Sequence, residues 1–128
     1  MSTSAKITLG ELTAAVAAAE AYAESARLAV KQAVSRERRL DRLLLDAEQR
    51  LVHGFAWVAT YAEALARVRL WAERLTALGR FGETEILLAE LLFAEYGAQL
   101  AGGVPLSQLE FIRPADFGVE APDVRIDF

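Results

Sequence analysis

The sequence predicts an all-α protein, an antiparallel bundle of three or four helices with an extended C-terminal arm. Three observations carry that prediction. Thr8-Leu9-Gly10-Glu11 has the spacing of a capping box and opens an alanine-rich stretch. Apolar residues then recur at intervals of three and four through the middle of the chain. Last, Gly102-Gly103 stops the final periodic run, and Pro105 and Pro114 keep the remaining residues out of a helix. Residues 1–103 therefore read as the bundle and 104–128 as a docking arm, within one domain overall.

The first helix starts near Leu9 and runs to about Val34. Leu12, Val16, Ala19, Ala23, Ala26 and Val30 share one face, and their small side chains permit close approach of a neighbour. Ser35 either caps a second helix or is passed over by a continuous one, since no Gly or Pro forces a break. Leu40, Leu43, Leu44, Ala47, Leu51 and Phe55 then give the strongest amphipathic signal in the chain. A further run through Val58, Tyr61, Ala62, Leu65, Val68, Leu75 and Leu78 ends at Gly79, with Arg74 in the last turn.

After the tight connection Gly79-Arg80-Phe81-Gly82, the last helix spans about Glu83 to Leu100. Glu83 and Glu85 occupy its first turn, where negative charge is favoured. Ile86, Leu87, Ala89, Leu91, Leu92, Phe93, Tyr96 and Leu100 make it apolar almost all round, which predicts a central, buried helix. In the arm, Val124, Ile126 and Phe128 alternate with Asp123, Arg125 and Asp127, as a short strand or extended peptide would.

Composition narrows the function classes. The chain has 128 residues, 54% apolar and 25% charged, which fits one folded domain. The mean hydropathy of +0.22 is high for a small soluble protein. Alanine explains much of it, and an interface exposed in the isolated chain is expected to contribute some of the excess. A net charge of −4 argues against nucleic-acid binding, which needs a clustered basic face. The absence of cysteine excludes disulfides, thiolate catalysis and Cys-ligated metal. Met1 to Lys6 lack the pattern of a signal peptide, and no run approaches the ~20 apolar residues of a membrane span. The expected compartment is the cytoplasm.

No catalytic set emerges. His53 is the only histidine and has no Glu-x-x-His partner pattern, so it reads as an interhelical or surface residue. Glu90 and Glu95 sit among apolar residues, where pairing with an Arg from another helix is expected of one of them. Arg36, Arg38, Arg39 and Arg42, interleaved with Glu37 and Asp41, read as a solvated helix face or as a meeting point for a phosphate or an acidic partner. Phe55, Trp57, Tyr61 and Trp71 form an aromatic stripe, either core or interface, and Trp57 and Tyr61 are candidates for a ligand pocket completed by Tyr96. No metal site and no cofactor site is expected in this chain.

Several strings carry a more specific likeness. They are Gly54-Phe55-Ala56-Trp57-Val58-Ala59-Thr60-Tyr61-Ala62-Glu63-Ala64-Leu65, Gly79-Arg80-Phe81-Gly82-Glu83 and Ala94-Glu95-Tyr96. The clearest are Gln99-Leu100-Ala101-Gly102-Gly103-Val104-Pro105-Leu106-Ser107-Gln108 and Arg113-Pro114-Ala115-Asp116. Over roughly its second half the chain resembles the helical N-terminal extension of 2-methylsuccinyl-CoA dehydrogenases and their near relatives in the acyl-CoA dehydrogenase superfamily. The resemblance implies a helical fold and an FAD-bearing, acyl-CoA dehydrogenase-like partner. It also implies that the catalytic glutamate and the flavin site lie in a core this chain does not contain, so no activity is expected from the chain alone. Tyr96, Leu106, Gln108, Phe111, Ile112, Arg113 and Asp116 are the candidate partner-binding residues. The alternatives are a homo-oligomeric structural bundle and a small-ligand or acyl-CoA binding bundle.

Overall fold

The computed structural model describes residues 7–124. Helix α1 spans Leu9–Ala33, and Thr8 caps it: its hydroxyl accepts from the Glu11 backbone N–H at 3.1 Å. The capping box is half formed, because the Glu11 carboxylate meets the Thr8 hydroxyl at 3.2 Å rather than the backbone. α1 buries Leu12, Ala15, Val16, Ala19, Tyr22, Ala26 and Val30, so the small-residue stripe is its inner face. That face lies mainly against α3, which spans Gln49–Ala77. With 29 residues, α3 is about 43 Å long and spans the bundle. It buries Gly54, Val58, Ala62, Leu65 and Ala72.

Gly79 ends α3 as expected. At a φ of +67° it lets Arg80 N–H reach Leu75 O at 2.7 Å and its own N–H reach Thr76 O at 3.0 Å. These are the two bonds of a Schellman cap. The short turn returns the chain as α4, Glu83–Gly102, antiparallel to α3. Glu83 and Glu85 stand in its first turn.

The structure corrects two expectations. The strongest amphipathic run is not one helix. Ser35–Arg36 (β1) pairs antiparallel with Arg39–Leu40 (β2), and a short helix, α2, comes next at Arg42–Ala47. Glu37 and Arg38 turn this hairpin at φ values of +51° and +66°. Asp41 then caps α2, accepting from Leu44 N–H at 3.0 Å. Leu40 and Leu43, which open that amphipathic run, are 65% and 80% exposed. The second correction concerns α4. Only Ala89, Phe93, Gly97 and Leu100 are buried on it, while Leu87, Leu88 and Leu91 are each about half exposed. The central pair is α1 and α3; α4 covers one side and turns a leucine face outward.

The arm folds back over the bundle. Val104–Pro105 (β3) pairs antiparallel with Phe111–Ile112 (β4), and a 3₁₀ turn comes after it at Pro114–Phe117. Val104, Ile112, Phe117 and Val124 all join the hydrophobic core. The alternation expected through Ile126 and Phe128, and the residues Met1 to Lys6, lie outside the described residues. Among the described residues no helix is long and apolar enough to cross a membrane.

Candidate functional site

The arm is held by two holes and one ion pair. The first hole is at Gly54 on α3, where a Cβ would lie 2.9 Å from the Cβ of Ile112. The second is at Gly97 on α4, where a Cβ would lie 2.5 Å from the Val124 carbonyl oxygen. Glycine at each position is what allows arm backbone or side chain to touch the helix. Phe117 closes the seam from the α1 side, meeting Tyr22 edge-to-face at 6.0 Å. Burial pushes the Tyr22 hydroxyl up, helped by the charge of Asp116, so it stays neutral.

Asp116 is the polar centre of the arm. Its carboxylate accepts from the Arg113 backbone N–H at 2.7 Å and pairs with the Arg50 guanidinium of α3 at 3.3 Å. Arg50 also donates to the Phe111 carbonyl. Burial acts to raise the Asp116 carboxyl, but the Arg113 N–H and the Arg50 charge outweigh it and hold the group below its ordinary value. The Arg113 side chain instead lies over the Phe111 ring, 5.3 Å from its centre. Of the residues the sequence singled out for partner contact, Ile112 is fully buried in this chain, and Tyr96 and Leu106 are half-buried. Gln108, Phe111, Arg113 and Asp116 are at the surface.

Trp57, Tyr61 and Tyr96 do come together, but as a ladder. Trp57 meets Tyr61 edge-to-face at 6.3 Å, and Tyr61 meets Tyr96 at 5.0 Å. The Tyr61 hydroxyl donates to Gln99 Oε1 at 2.7 Å, and Gln99 Nε2 donates to Glu95 at 2.8 Å. Burial, then the neighbouring Tyr96 and Glu95, raises the Tyr61 hydroxyl. Rings in edge contact leave no slot for a flat ligand ring between them. His53 accepts from Trp57 Nε1 at 3.2 Å on the exposed side of α3. Among the described residues Glu90 pairs with no Arg; it accepts from the Ile7 backbone N–H at 3.1 Å. Among the described residues no three His, Asp or Glu side chains converge as a metal site would require.

Sequence spacing missed the surface that stands out most. Between α3 and α4, Arg67, Val68, Trp71, Leu88 and Leu92 line an apolar cleft of about 310 Å³. Leu87, Leu88 and Leu91 of α4 continue its rim. The charged residues of α4 are glutamates alone, at 83, 85, 90 and 95. The signal was present in the sequence: a helix apolar all round either sits at the centre or carries an uncovered face.

No family model matches the chain. Its sequence is 45% identical over 101 residues to the (2S)-methylsuccinyl-CoA dehydrogenase of Cereibacter sphaeroides. This chain is a sequence relative of that dehydrogenase. The resemblance carried by the Gly-Gly-x-Pro-x-Ser-Gln and Arg-Pro-Ala-Asp strings is thereby shown. The match takes in 79% of this chain but only 18% of the dehydrogenase. It is also longer than the second half to which the motifs pointed, so the likeness to the dehydrogenase reaches into the first half. The small-residue helix and the hairpin there carry no string distinctive enough to be read by eye.

Proposed function

We propose that this chain is a non-catalytic helical module that associates with an acyl-CoA dehydrogenase-like flavoenzyme body and supports its assembly. The observation that carries the reading is the 45% identity to one segment of a much longer dehydrogenase. A segment that evolved beside a larger body keeps a surface for it, and the uncovered leucine face of α4 supplies one. The exposed part of the arm, Gln108, Phe111 and Arg113, extends the contact. FAD belongs to the partner in this reading, as the likeness to the dehydrogenase suggests.

Sedimentation velocity tests the reading, with the C. sphaeroides dehydrogenase lacking its matching segment mixed with this chain and followed by flavin absorbance. The expected result is one flavin-bearing species containing both polypeptides, which Leu88→Glu disperses. Separate sedimentation of the two overturns the proposal. If the chain instead forms a defined oligomer of its own, dispersed by the same substitution, the face serves self-association.

A further inference from the structure

We propose that the cleft where α1 meets the β1–β2 hairpin binds a phosphate-bearing nucleotide. This inference stands apart from the dehydrogenase reading and rests on the end of α1 and the hairpin after it. The cleft has a volume of about 540 Å³ and is lined by Leu28, Lys31, Gln32, Ser35 and Arg38. Its polar lining consists of an ammonium, a carboxamide, a hydroxyl and a guanidinium. All four donate hydrogen bonds, and no carboxylate lines the cleft. Phosphate oxygens only accept, and an Arg fork beside a Lys point charge suits them. Leu28, 52% exposed, offers an apolar surface against which a base can lie.

The backbone separates this cleft from an ordinary solvated charge run. Both loop residues of the hairpin have positive φ, +51° at Glu37 and +66° at Arg38. Two-residue hairpin turns of this kind favour Asn-Gly, and neither residue here is relaxed in that region. The conformation brings Arg38 onto the cleft that Lys31 reaches from the last turn of α1. Strain of this kind persists only where the surrounding structure over-determines it, and it clusters at sites that use the residue it positions.

The local electrostatics agree. Among the described residues neither Lys31 nor Arg38 forms an ion pair. The nearby carboxylate of Asp41 is engaged by Leu44 N–H at 3.0 Å and by Arg36 at 3.8 Å. The carbonyl of Val34, just past α1, accepts from Asp41 N–H at 2.8 Å, so it is occupied. Arg36, Arg39 and Arg42 add positive potential around the site in a chain of net charge −4. The cleft is open to solvent and wider than a lone phosphate, so it has room for a nucleoside beside Leu28.

Amide-resolved NMR titration of the full chain with ADP, coenzyme A, adenosine and inorganic phosphate tests this. ADP and coenzyme A should shift Lys31, Gln32, Ser35 and Arg38 saturably, inorganic phosphate should bind more weakly, and adenosine should not bind. Arg38→Gly should raise the melting temperature by relaxing the turn and weaken ADP binding by about tenfold or more. Lys31→Ala should weaken binding without that thermal gain. Absence of saturable shifts with both nucleotides overturns the proposal, and so does unchanged binding in Arg38→Gly. Adenosine binding as well as ADP overturns the phosphate assignment. Inorganic phosphate binding as tightly as ADP overturns the nucleotide assignment.

Discussion

The chain leaves its helices twice to form a small antiparallel hairpin, at residues 35–40 and at 104–112, and the two excursions end in opposite places. The arm hairpin sends Val104 and Ile112 to full burial. The first hairpin keeps Leu40 65% exposed and Arg36, Arg38 and Arg39 in solvent. Both carry apolar residues. What separates them is the helix surface beneath. Under the arm, Gly54 and Gly97 open spaces in α3 and α4 that take Ile112 and the Val124 backbone. The first hairpin has no such socket. Burial of a short strand pair therefore depends on the receiving helix more than on the strand.

The sharpest way to break that contrast is to empty or fill the socket. Ile112→Ala should destabilise the fold by about 2–5 kcal/mol, the range for truncating a buried branched aliphatic. Gly54→Ala should cost about 1–3 kcal/mol by overpacking, because the added methyl meets Ile112 near its branch point. The pair should cost less than the sum, since the smaller side chain makes room for the methyl. Chemical denaturation of the two single variants and the double variant measures this coupling. Additive losses would mean that the socket does not hold the arm.

A smaller effect is expected at the arm's polar centre. Asp116→Asn should cost about 0.5–2 kcal/mol through the weakened turn cap and the lost Arg50 pair. The lowered Asp116 carboxyl sets the sign with pH. Its contribution is fully present above the unfolded value of 3.8 and is lost as pH falls through the depressed folded value. Melting between pH 7 and pH 3 should show a shallower acid decline in Asp116→Asn than in the parent chain. The smallest effect is expected at the first hairpin's flank. Leu43→Ser, at a residue 80% exposed, should change stability by no more than about 0.5 kcal/mol. A loss comparable to that of Ile112→Ala would show that the two regions are not different in kind.

The long helices were legible because their signals are local. Thr8 announces the start of α1 and Gly79 the end of α3, and both do so through bonds spanning six residues or fewer. The break at Ser35 was not legible, because Glu37 and Arg38 adopt backbone angles that their residue types disfavour. The exposed face of α4 was misjudged for a different reason. Period and composition say that Leu87, Leu88 and Leu91 are apolar, but only packing says that the described residues leave them half exposed. At the arm, Asp116 was singled out by its place in a recognisable string. Its partner, Arg50, lies 66 residues earlier and no pattern connects the two.

Helix α4 also brings the first and last described positions of the chain near each other. The Ile7 backbone N–H is tied to Glu90, and the Val124 backbone rests on Gly97, two turns further along the same helix. Those anchor points are separated by about 10 Å of helix. A linker of a few residues would span that gap, which makes the fold a candidate for circular permutation, with new ends opened in the Gly79–Gly82 turn. By the same geometry, a polypeptide that enters and leaves this module does so at neighbouring points.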